Sequence, residues 1–220
     1  FMTDTLYHRY AHLRRIAKYG LKYFLAGNKT HILIACTPKS GSTFLWTILS
    51  QIPAYKKVSL IPGSDRRENE LCKEKLIVNH RLNYVARLHI RYSQPTRELM
   101  ESFNLRPVVC VRNIYDSVIS LKDHIFKQRP ALSMINSVGK DFKNWDSAKQ
   151  DEFIVDLAIP WYINFFVSWS ECHNKTLVTY EELYRDRLGT VKRLLSGLGI
   201  SASNETIGEY MLDYVCDYVD

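Results

Sequence analysis

Short apolar runs alternate along this chain with longer segments in which apolar residues recur every three or four positions. Apolar runs typical of buried strands occupy residues 31–36, 84–89, 107–111 and 177–180. Helical spacing is found at residues 42–51, 96–103, 114–126, 152–172, 190–198 and 203–218. Strands that alternate with helices predict a three-layer α/β fold, in which a central parallel sheet carries helices on both faces.

Polar, irregular segments separate some of these elements. Residues 53–75 and 132–150 predict loops, and Pro160 predicts a kink or a restart within the long helix at 152–172. The sequence contains no internal repeat, low-complexity tract or linker. We therefore expect residues 1–220 to form one domain.

An amphipathic helix with one basic face is predicted near the start of the sequence, over residues 6–25. Its apolar positions are Leu6, Tyr10, Leu13, Ala17, Leu21 and Phe24. Its basic positions are Arg9, Arg14, Arg15, Lys18 and Lys22. Two interpretations remain open: the helix packs on its own domain, or it makes a peripheral contact with a membrane surface or a partner.

The 220 residues carry a formal net charge of +7, from 30 Lys and Arg against 23 Asp and Glu. This excess favours an anionic ligand, but no nucleic-acid-binding motif accompanies it, so we expect no nucleic-acid partner. The 5 cysteines are far apart and form no CxxC pair, which predicts reduced thiols in a cytoplasmic protein. The longest strongly apolar stretch, Leu157 to Trp169, is too short to span a bilayer.

Residues 37–43, with the sequence T-P-K-S-G-S-T, lie between a predicted strand and a predicted helix. Small residues allow successive backbone N–H groups to face one anion, and the helix N-terminus and Lys39 add positive charge. The segment therefore predicts a phosphate-binding loop. It is not a Walker A loop, because Lys39 precedes Gly41, and this order disfavours magnesium-dependent phosphoryl transfer from ATP.

A second candidate for anion binding is Arg112, which directly follows the apolar strand at 107–111. Asn113, Asp116 and Ser120 come next, and a helix from residue 114 would place Ser120 in its first two turns. Arg112 and Ser120 could then bind one phosphate from two sides. Taken alone, Arg112 is equally consistent with an ion pair to Asp116.

Together, the two segments resemble the sulfotransferases that use 3′-phosphoadenosine 5′-phosphosulfate (PAPS). Residues 37–44 are similar to the family's T-Y-P-K-S-G-T-T-W loop, and residues 112–120 are similar to its R-N-x-x-D-x-x-x-S segment. Three weaker resemblances follow the same order: residues 87–91 to K-T-H-L-P, 161–169 to W-x-x-H-x-x-x-W, and 179–183 to Y-E-D-M. The resemblance implies a P-loop NTPase-like fold, with PAPS as co-substrate and adenosine 3′,5′-bisphosphate (PAP) as product.

The resemblance also implies a role for each matching residue. The donors to the 5′-phosphosulfate would be Lys39, Ser40, Gly41, Ser42 and Thr43. Among these, Lys39 would also contact the bridging oxygen that leaves. Arg112 and Ser120 would hold the 3′-phosphate, while Phe44, in place of the family's tryptophan, and Tyr180 would flank the adenine.

Sulfuryl transfer also requires a base that removes the proton of the acceptor hydroxyl or amine. A neutral histidine can do this near pH 7, and the similarity of residues 87–91 to K-T-H-L-P favours His89. His80 and His124 remain alternatives. No metal is needed for this chemistry, and the sequence offers no convincing cluster of metal ligands.

The sequence departs from the family after Ile200, where no segment resembles the C-terminal R-K-G that holds the 3′-phosphate. Either another basic residue replaces it, or the sequence is a short variant or a truncated piece. An alternative function also stays open, a nucleotide- or phosphate-binding domain of the same fold without catalysis.

The acceptor is not determined by these motifs. A small molecule such as a phenol or a steroid-like alcohol, a glycan, a lipid and a peptide tyrosine all remain open, and so does the oligomeric state. We expect residues 53–75 and 132–150 to form walls of the acceptor pocket. Aromatic candidates for its lining are Tyr55, Phe142, Trp145, Trp161 and Tyr162.

Overall fold

A computed structural model describes residues 29–61, 69–127, 140–201, 203, 205–209 and 211. The helix predicted over residues 6–25 lies outside the described residues. Of the helix predicted at 203–218, residues 205–209 are described and are helical.

The strands form one five-stranded sheet in which all neighbours are parallel, in the order β2-β3-β1-β4-β5. Their bounds are β1 His31–Cys36, β2 Tyr55–Lys57, β3 Asn83–Leu88, β4 Leu105–Val111 and β5 Thr176–Thr179. All residues of the central strand β1 are buried. A parallel sheet buries its central strands on both faces, which explains why β1 is a continuous apolar run in the sequence.

Before the helical residues 205–209, the described part of the chain contains seven α-helices. Their bounds are α1 Ser42–Gln51, α2 Lys73–Asn79, α3 Gln94–Ser102, α4 Ile114–Lys127, α5 Ser147–Ser170, α6 Tyr180–Arg185 and α7 Arg187–Gly197. A short 3₁₀ helix occupies Lys140–Asn144, ahead of α5.

The two faces of the sheet are buried in two different hydrophobic clusters. Ile32 and Ile34 of β1 belong to the cluster that includes Leu45 of α1 and Leu194 of α7. The alternate β1 residues belong to the opposite cluster, which includes Met100 of α3 and Trp169 of α5. Helices therefore cover both faces, and the predicted three-layer α/β fold is confirmed.

Two of the segments predicted to be loops contain regular structure. Edge strand β2 and the start of α2 lie within residues 53–75, and the 3₁₀ helix and the start of α5 lie within 132–150. Strand β2 has only three residues, and Lys56 and Lys57 are exposed, so no apolar run marks it in the sequence. It forms because its backbone pairs with β3, from Tyr55 opposite Asn83 to Lys57 opposite Val85.

Helix α5 continues through Pro160, so the predicted restart at this residue is wrong. Proline cannot donate to the carbonyl of residue 156 one turn earlier. Both Asp156 and Pro160 are exposed, so water can satisfy that carbonyl and the helix is maintained.

Helix α5 is fastened to the sheet layer by polar contacts as well as by packing. By length and composition alone it could cross a membrane. However, the indole of Trp169 donates to the Ile90 carbonyl at 2.8 Å, and the hydroxyl of Tyr162 donates to the Pro38 carbonyl at 2.8 Å. These buried bonds place α5 as a covering helix of the α/β fold.

The topology brings the candidate site residues to one edge of the sheet. Strands β1, β3, β4 and β5 are parallel neighbours, and the register places Leu88 opposite Ala35, Cys110 opposite Cys36, and Thr179 opposite Val111. The segments that follow these strands therefore emerge side by side at the carboxyl edge. This edge is where open parallel sheets bind ligands.

We expect Trp169 to be a major source of stability. Trp169→Ala should lower the free energy of unfolding by about 3–5 kcal/mol, because it removes a buried indole and its hydrogen bond. Trp169→Phe should cost less, since a ring remains. Val167, two residues earlier and 60% exposed, is the control, and Val167→Ala should stay within about 0.5 kcal/mol of the wild type in urea unfolding. Equal losses at both positions would contradict this assignment.

Candidate active site

The loop between β1 and α1 has all five of its backbone carbonyls, from residues 37 to 41, bonded to donors within the protein. The donors are the Ser40 hydroxyl to Thr37 at 2.6 Å, Tyr162 to Pro38 at 2.8 Å, Arg112 to Lys39 at 3.2 Å, Cys110 to Ser40 at 3.0 Å and the Leu45 amide to Gly41 at 3.4 Å. These contacts come from β4, α1, α5 and the loop itself. The loop conformation is therefore fixed from several sides.

The N–H groups of the same loop are left for another partner. The amides of Lys39, Ser40 and Gly41 donate to no other described residue. Ser42 and Thr43 begin α1, and the first amides of a helix have no acceptor within it. An array of free N–H groups at a helix N-terminus binds an anion.

Left-handed backbone conformations give the loop its shape. Lys39 has a φ of 63° and Gly41 a φ of 79°. A Cβ atom on Gly41 would lie 3.2 Å from Cδ2 of Tyr180 and 3.3 Å from Cδ1 of Leu183. Glycine is therefore required here both by the backbone angle and by the close approach of α6.

Two of the predicted hydroxyl donors point into the protein. The Ser40 side chain is completely buried and bonds within the loop, and Ser42 is buried beside Cys36. The half-buried Thr43 hydroxyl accepts a hydrogen bond from Arg87. The loop thus offers mainly its backbone N–H groups, whereas its serine side chains stabilise its conformation.

Lys39 supplies a full positive charge beside these N–H groups. Its side chain is exposed, but partial desolvation and the nearby charge of Arg112 lower its pKa. Two cations held close together repel each other, and an anion between them relieves this repulsion. The electrostatics of the loop therefore favour the same kind of ligand as its geometry.

Arg112 follows β4 and lies beside both the loop and α6. Its guanidinium carbon is 4.0 Å from the centroid of the Tyr180 ring, and its Nε is buried without a hydrogen-bond partner. Both Arg112 and Asp116 are described, and no ion pair joins them. The alternative of a simple Arg112–Asp116 pair is therefore not what this structure contains, and Arg112 has a donor free for an anion.

Asn113 lies just before α4, and Ser120 lies on this helix. The side chain of Asn113 caps α4 by accepting from the Tyr115 amide at 2.9 Å. The backbone amide of Asn113 donates to the Glu181 carboxylate at 2.8 Å. Ser120 lies half-buried in the second turn of α4. The Asn113 cap thus fixes the start of α4 directly after Arg112 and Asn113.

His89 directly follows β3, next to the end of β1. Its Nδ1 lies 2.9 Å from the Cys36 carbonyl oxygen and 3.5 Å from the Cys36 sulfur. A carbonyl can only accept, so Nδ1 carries the proton and the neutral ring has its lone pair on Nε2. Burial lowers the pKa of His89, but the Cys36 sulfur and carbonyl outweigh this effect, and the pKa is raised above its usual value.

The two rival histidines occupy different places. His80 lies at the opposite, amino edge of the sheet, where its carbonyl is 3.0 Å from Nε2 of His31, the first residue of β1. Strand β1 separates that edge from the loop by about 17 Å. His80 is therefore too far from the loop to act there. His124 lies near the end of α4 and remains an alternative prediction.

A small cavity opens beside the loop, between α1 and the two helices that follow β5. It has a volume of about 190 Å³. Its lining consists of Gly41, Thr43, Phe44, Tyr180, Leu183, Tyr184 and Arg187. The resemblance implies that Phe44 and Tyr180 flank the adenine, and the fold brings both to one cavity next to the loop.

Several supporting residues were not recognised in the sequence. Tyr162, a predicted lining residue of the acceptor pocket, is instead completely buried, and its hydroxyl donates to the Pro38 carbonyl. Burial raises the pKa of Tyr162, so the hydroxyl keeps its proton. Phe142, also expected in that pocket, is buried in the cluster of α4 and α5. Arg87 stacks on Trp46 at 4.9 Å while it bonds Thr43. Only long-range packing brings these groups to the loop.

The fold and this loop define a P-loop-like α/β protein with a candidate anion site at the carboxyl edge of its sheet. No cluster of three or more His, Cys, Asp or Glu that could hold a metal is found among the described residues. A sequence profile of the sulfotransferase domain matches residues 29–217. The chain therefore belongs to the sulfotransferase domain family. A search of curated protein sequences finds no significant match.

Solved sulfotransferase structures share this fold. Mouse sulfotransferase SULT7A1 complexed with PAP superimposes with a TM-score of 0.62 at 18% identity, over 88% of this chain and 67% of that chain. Sulfotransferase STF9 from Mycobacterium avium gives 0.59 at 10% identity, over 94% and 72%. A retinol dehydratase in a complex with retinol and PAP gives 0.52 at 14% identity, over 92% and 69%. At such low identities these likenesses establish the fold.

We expect Gly41→Ala to lower the free energy of unfolding by about 1–2 kcal/mol, because an L-residue is strained at this positive φ. The close approach of Tyr180 and Leu183 adds to the loss. Gly208→Ala is the control, since Gly208 lies in the helical segment 205–209 and a Cβ there meets nothing within 4 Å. That change should raise stability by about 0.5–1 kcal/mol. Urea unfolding that gave the same sign for both variants would refute the assigned loop geometry.

Proposed function

We propose that this protein transfers a sulfuryl group from PAPS to a hydroxyl or amine of an acceptor, with His89 as the general base. The observation that carries the proposal is the loop of residues 37–41. Its carbonyls are all bonded within the protein, and its N–H groups at Lys39, Ser40 and Gly41 have no acceptor among the described residues. Membership of the sulfotransferase domain family supports the same reaction.

Three groups of residues would bind PAPS. The loop N–H groups and Lys39 fit the 5′-phosphosulfate. Arg112, whose Nε is buried and unpartnered, and Ser120 on the following helix fit the 3′-phosphate. The cavity between Phe44 and Tyr180 fits the adenine. The structural relatives solved with PAP, mouse SULT7A1 and the retinol dehydratase, support a nucleotide of this type.

Lys39 and the loop would act on the leaving side of the reaction. PAPS supplies the sulfuryl group and departs as PAP. Negative charge grows on the departing phosphate oxygen, and Lys39 together with fixed N–H donors stabilises it without reorganisation. We propose that this step uses no metal ion.

His89 would act on the acceptor side. The Cys36 carbonyl holds the proton on Nδ1 and so presents Nε2 as the base for the acceptor proton. The raised pKa has a defined consequence, because protonated His89 cannot accept a proton. Transfer should therefore be lost as the pH falls through this pKa.

We further propose a small-molecule alcohol as the first class of acceptor to test. A retinol dehydratase has been solved with retinol and with androsterone, both of them hydroxyl compounds, and this likeness in fold supports the choice. Phenols, glycans, lipids and amines belong in the same screen. We also propose a cytoplasmic location, for which the support is that Cys36, Cys72, Cys110 and Cys172 are free thiols.

A second candidate function is nucleotide binding without transfer. It is favoured by one observation, the absence of any Lys or Arg from residues 194–220. Residues 194–220 therefore supply no basic group for the 3′-phosphate. Binding and transfer must accordingly be measured separately.

We expect PAP to stabilise the protein more than ADP or ATP does, with no magnesium requirement. A ligand at 100 times its dissociation constant adds about 2.7 kcal/mol to the free energy of unfolding, which thermal unfolding detects. Arg112→Ala should raise the dissociation constant of PAP by about 10- to 100-fold, through loss of charge-assisted bonds to the 3′-phosphate.

Arg81→Ala is the matched control for this measurement. Arg81 is an exposed arginine two residues before β3, at the amino edge of the sheet, and its loss removes the same charge far from the loop. It should leave PAP binding unchanged. An equal preference for ADP, or a strict need for magnesium, would overturn the proposed function.

We expect His89→Ala to abolish transfer while PAP still binds. Release of PAP from PAPS should fall at least about 100-fold with any acceptor that a panel of alcohols, phenols and amines yields. In the wild type, kcat/KM should decline on the acid side with an apparent pKa above the usual value for a histidine. Cys36→Ala removes the sulfur that raises the pKa of His89, so this limb should move to lower pH.

The rival histidines provide the controls. His80→Ala should retain transfer, because His80 lies at the amino edge. A large loss in His124→Ala with His89→Ala still active would assign the base to α4 instead. A protein that binds PAP but transfers to no acceptor in the panel would favour the second candidate function.

A further inference from the structure

The cavity beside the loop has an arginine at its rim whose charge is unpaired. Arg187 lines the cavity, and its guanidinium carbon lies 5.9 Å from the centroid of the Phe44 ring. The side chain is exposed and makes no ion pair or hydrogen bond to another described residue. By contrast, Arg193 on the same helix is paired with Glu182 at 2.9 Å.

The corner between α6 and α7 holds Arg187 in this place. Asp186 follows α6 and caps α7. Its side chain accepts from the Gly189 amide at 2.8 Å, and its backbone amide donates to the Glu182 carbonyl at 2.9 Å. A Cβ atom on Gly189 would lie 2.1 Å from Oδ2 of Asp186, so the corner is tight. Arg187 is the next residue, and its backbone position is therefore fixed.

The cavity itself suits a single flat ring system. At about 190 Å³ it is smaller than the pockets of about 300–1,000 Å³ that hold whole drug-sized ligands. Three aromatic residues are in its lining, Phe44 on α1 and Tyr180 and Tyr184 on α6. Arg112 stacks on Tyr180 at 4.0 Å and has the unpartnered Nε, so a cation for phosphate is already present near this wall.

We propose that Arg187 covers the adenine ring of the bound nucleotide with its planar guanidinium, as a contact to the base and not to a phosphate. The inference rests on the proposed function, since it takes the nucleotide to be PAPS or PAP. A guanidinium stacks on aromatic rings and attracts their π-faces. Residues 194–220 contain no Lys or Arg that could take this role.

The test is the dissociation constant of PAP for the full chain, measured by calorimetry at several salt concentrations. The variants are Arg187→Ala and the control Arg185→Ala. Arg185 is exposed on the last residue of α6 and does not line the cavity, yet its loss changes the net charge equally. Thermal unfolding without ligand checks that both variants fold.

If Arg187 covers the base, Arg187→Ala should bind PAP about 3- to 30-fold more weakly than Arg185→Ala at every salt concentration. The two variants should show the same salt dependence, because screening acts mainly on contacts between charges. Equal affinities for the two variants would overturn the proposal. A weaker salt dependence in Arg187→Ala alone would also overturn it, by assigning Arg187 to a phosphate. If the wild type does not bind PAP, the proposed function itself fails and this inference falls with it.

Discussion

The structure depends on one constraint, which is that every carbonyl of the 37–41 loop must be bonded within the protein. Four of the five bonds tie the loop to the rest of the fold: Cys110 on β4, Arg112 just after β4, Tyr162 on α5, and α1 through Leu45. With the carbonyls bonded to the protein, the amides are left for a ligand. A buried carbonyl without a donor would be costly, so the anion site and the stability of the loop have the same origin.

The same constraint explains how residues far apart in sequence come to act together. Parallel pairing aligns the ends of β1, β3 and β4, and this places Cys36 beside His89 and the loop beside Arg112. Helix α5 then closes the arrangement, because Tyr162 and Trp169 bond carbonyls of the loop and of Ile90. Packing and polar contacts thus hold the proposed base and the proposed anion site in one rigid frame.

The fold of this chain is shared by proteins of low sequence identity to it. The structures that superimpose on this chain with TM-scores of 0.52 to 0.62 share only 10% to 18% of its residues. Cores tolerate apolar substitution when volume and pattern are kept.

By itself the sequence determined the α/β class, the bounds of β1 and α1, and the identity of the loop, because local periodicity and glycine placement carry that information. The resemblance to the sulfotransferases also implied nucleotide-binding roles for Lys39, Arg112, Phe44 and Tyr180, and the role of base for His89. Tertiary structure alone decided the rest. Strand β2 has polar residues and exists only through pairing with β3. The fold also places His80 at the amino edge of the sheet, a strand length away from His89 at the carboxyl edge. Arg187 reaches the ring of Phe44, and Tyr162 anchors the loop through the Pro38 carbonyl. Both contacts join segments that are distant in the sequence, so no local pattern encodes them.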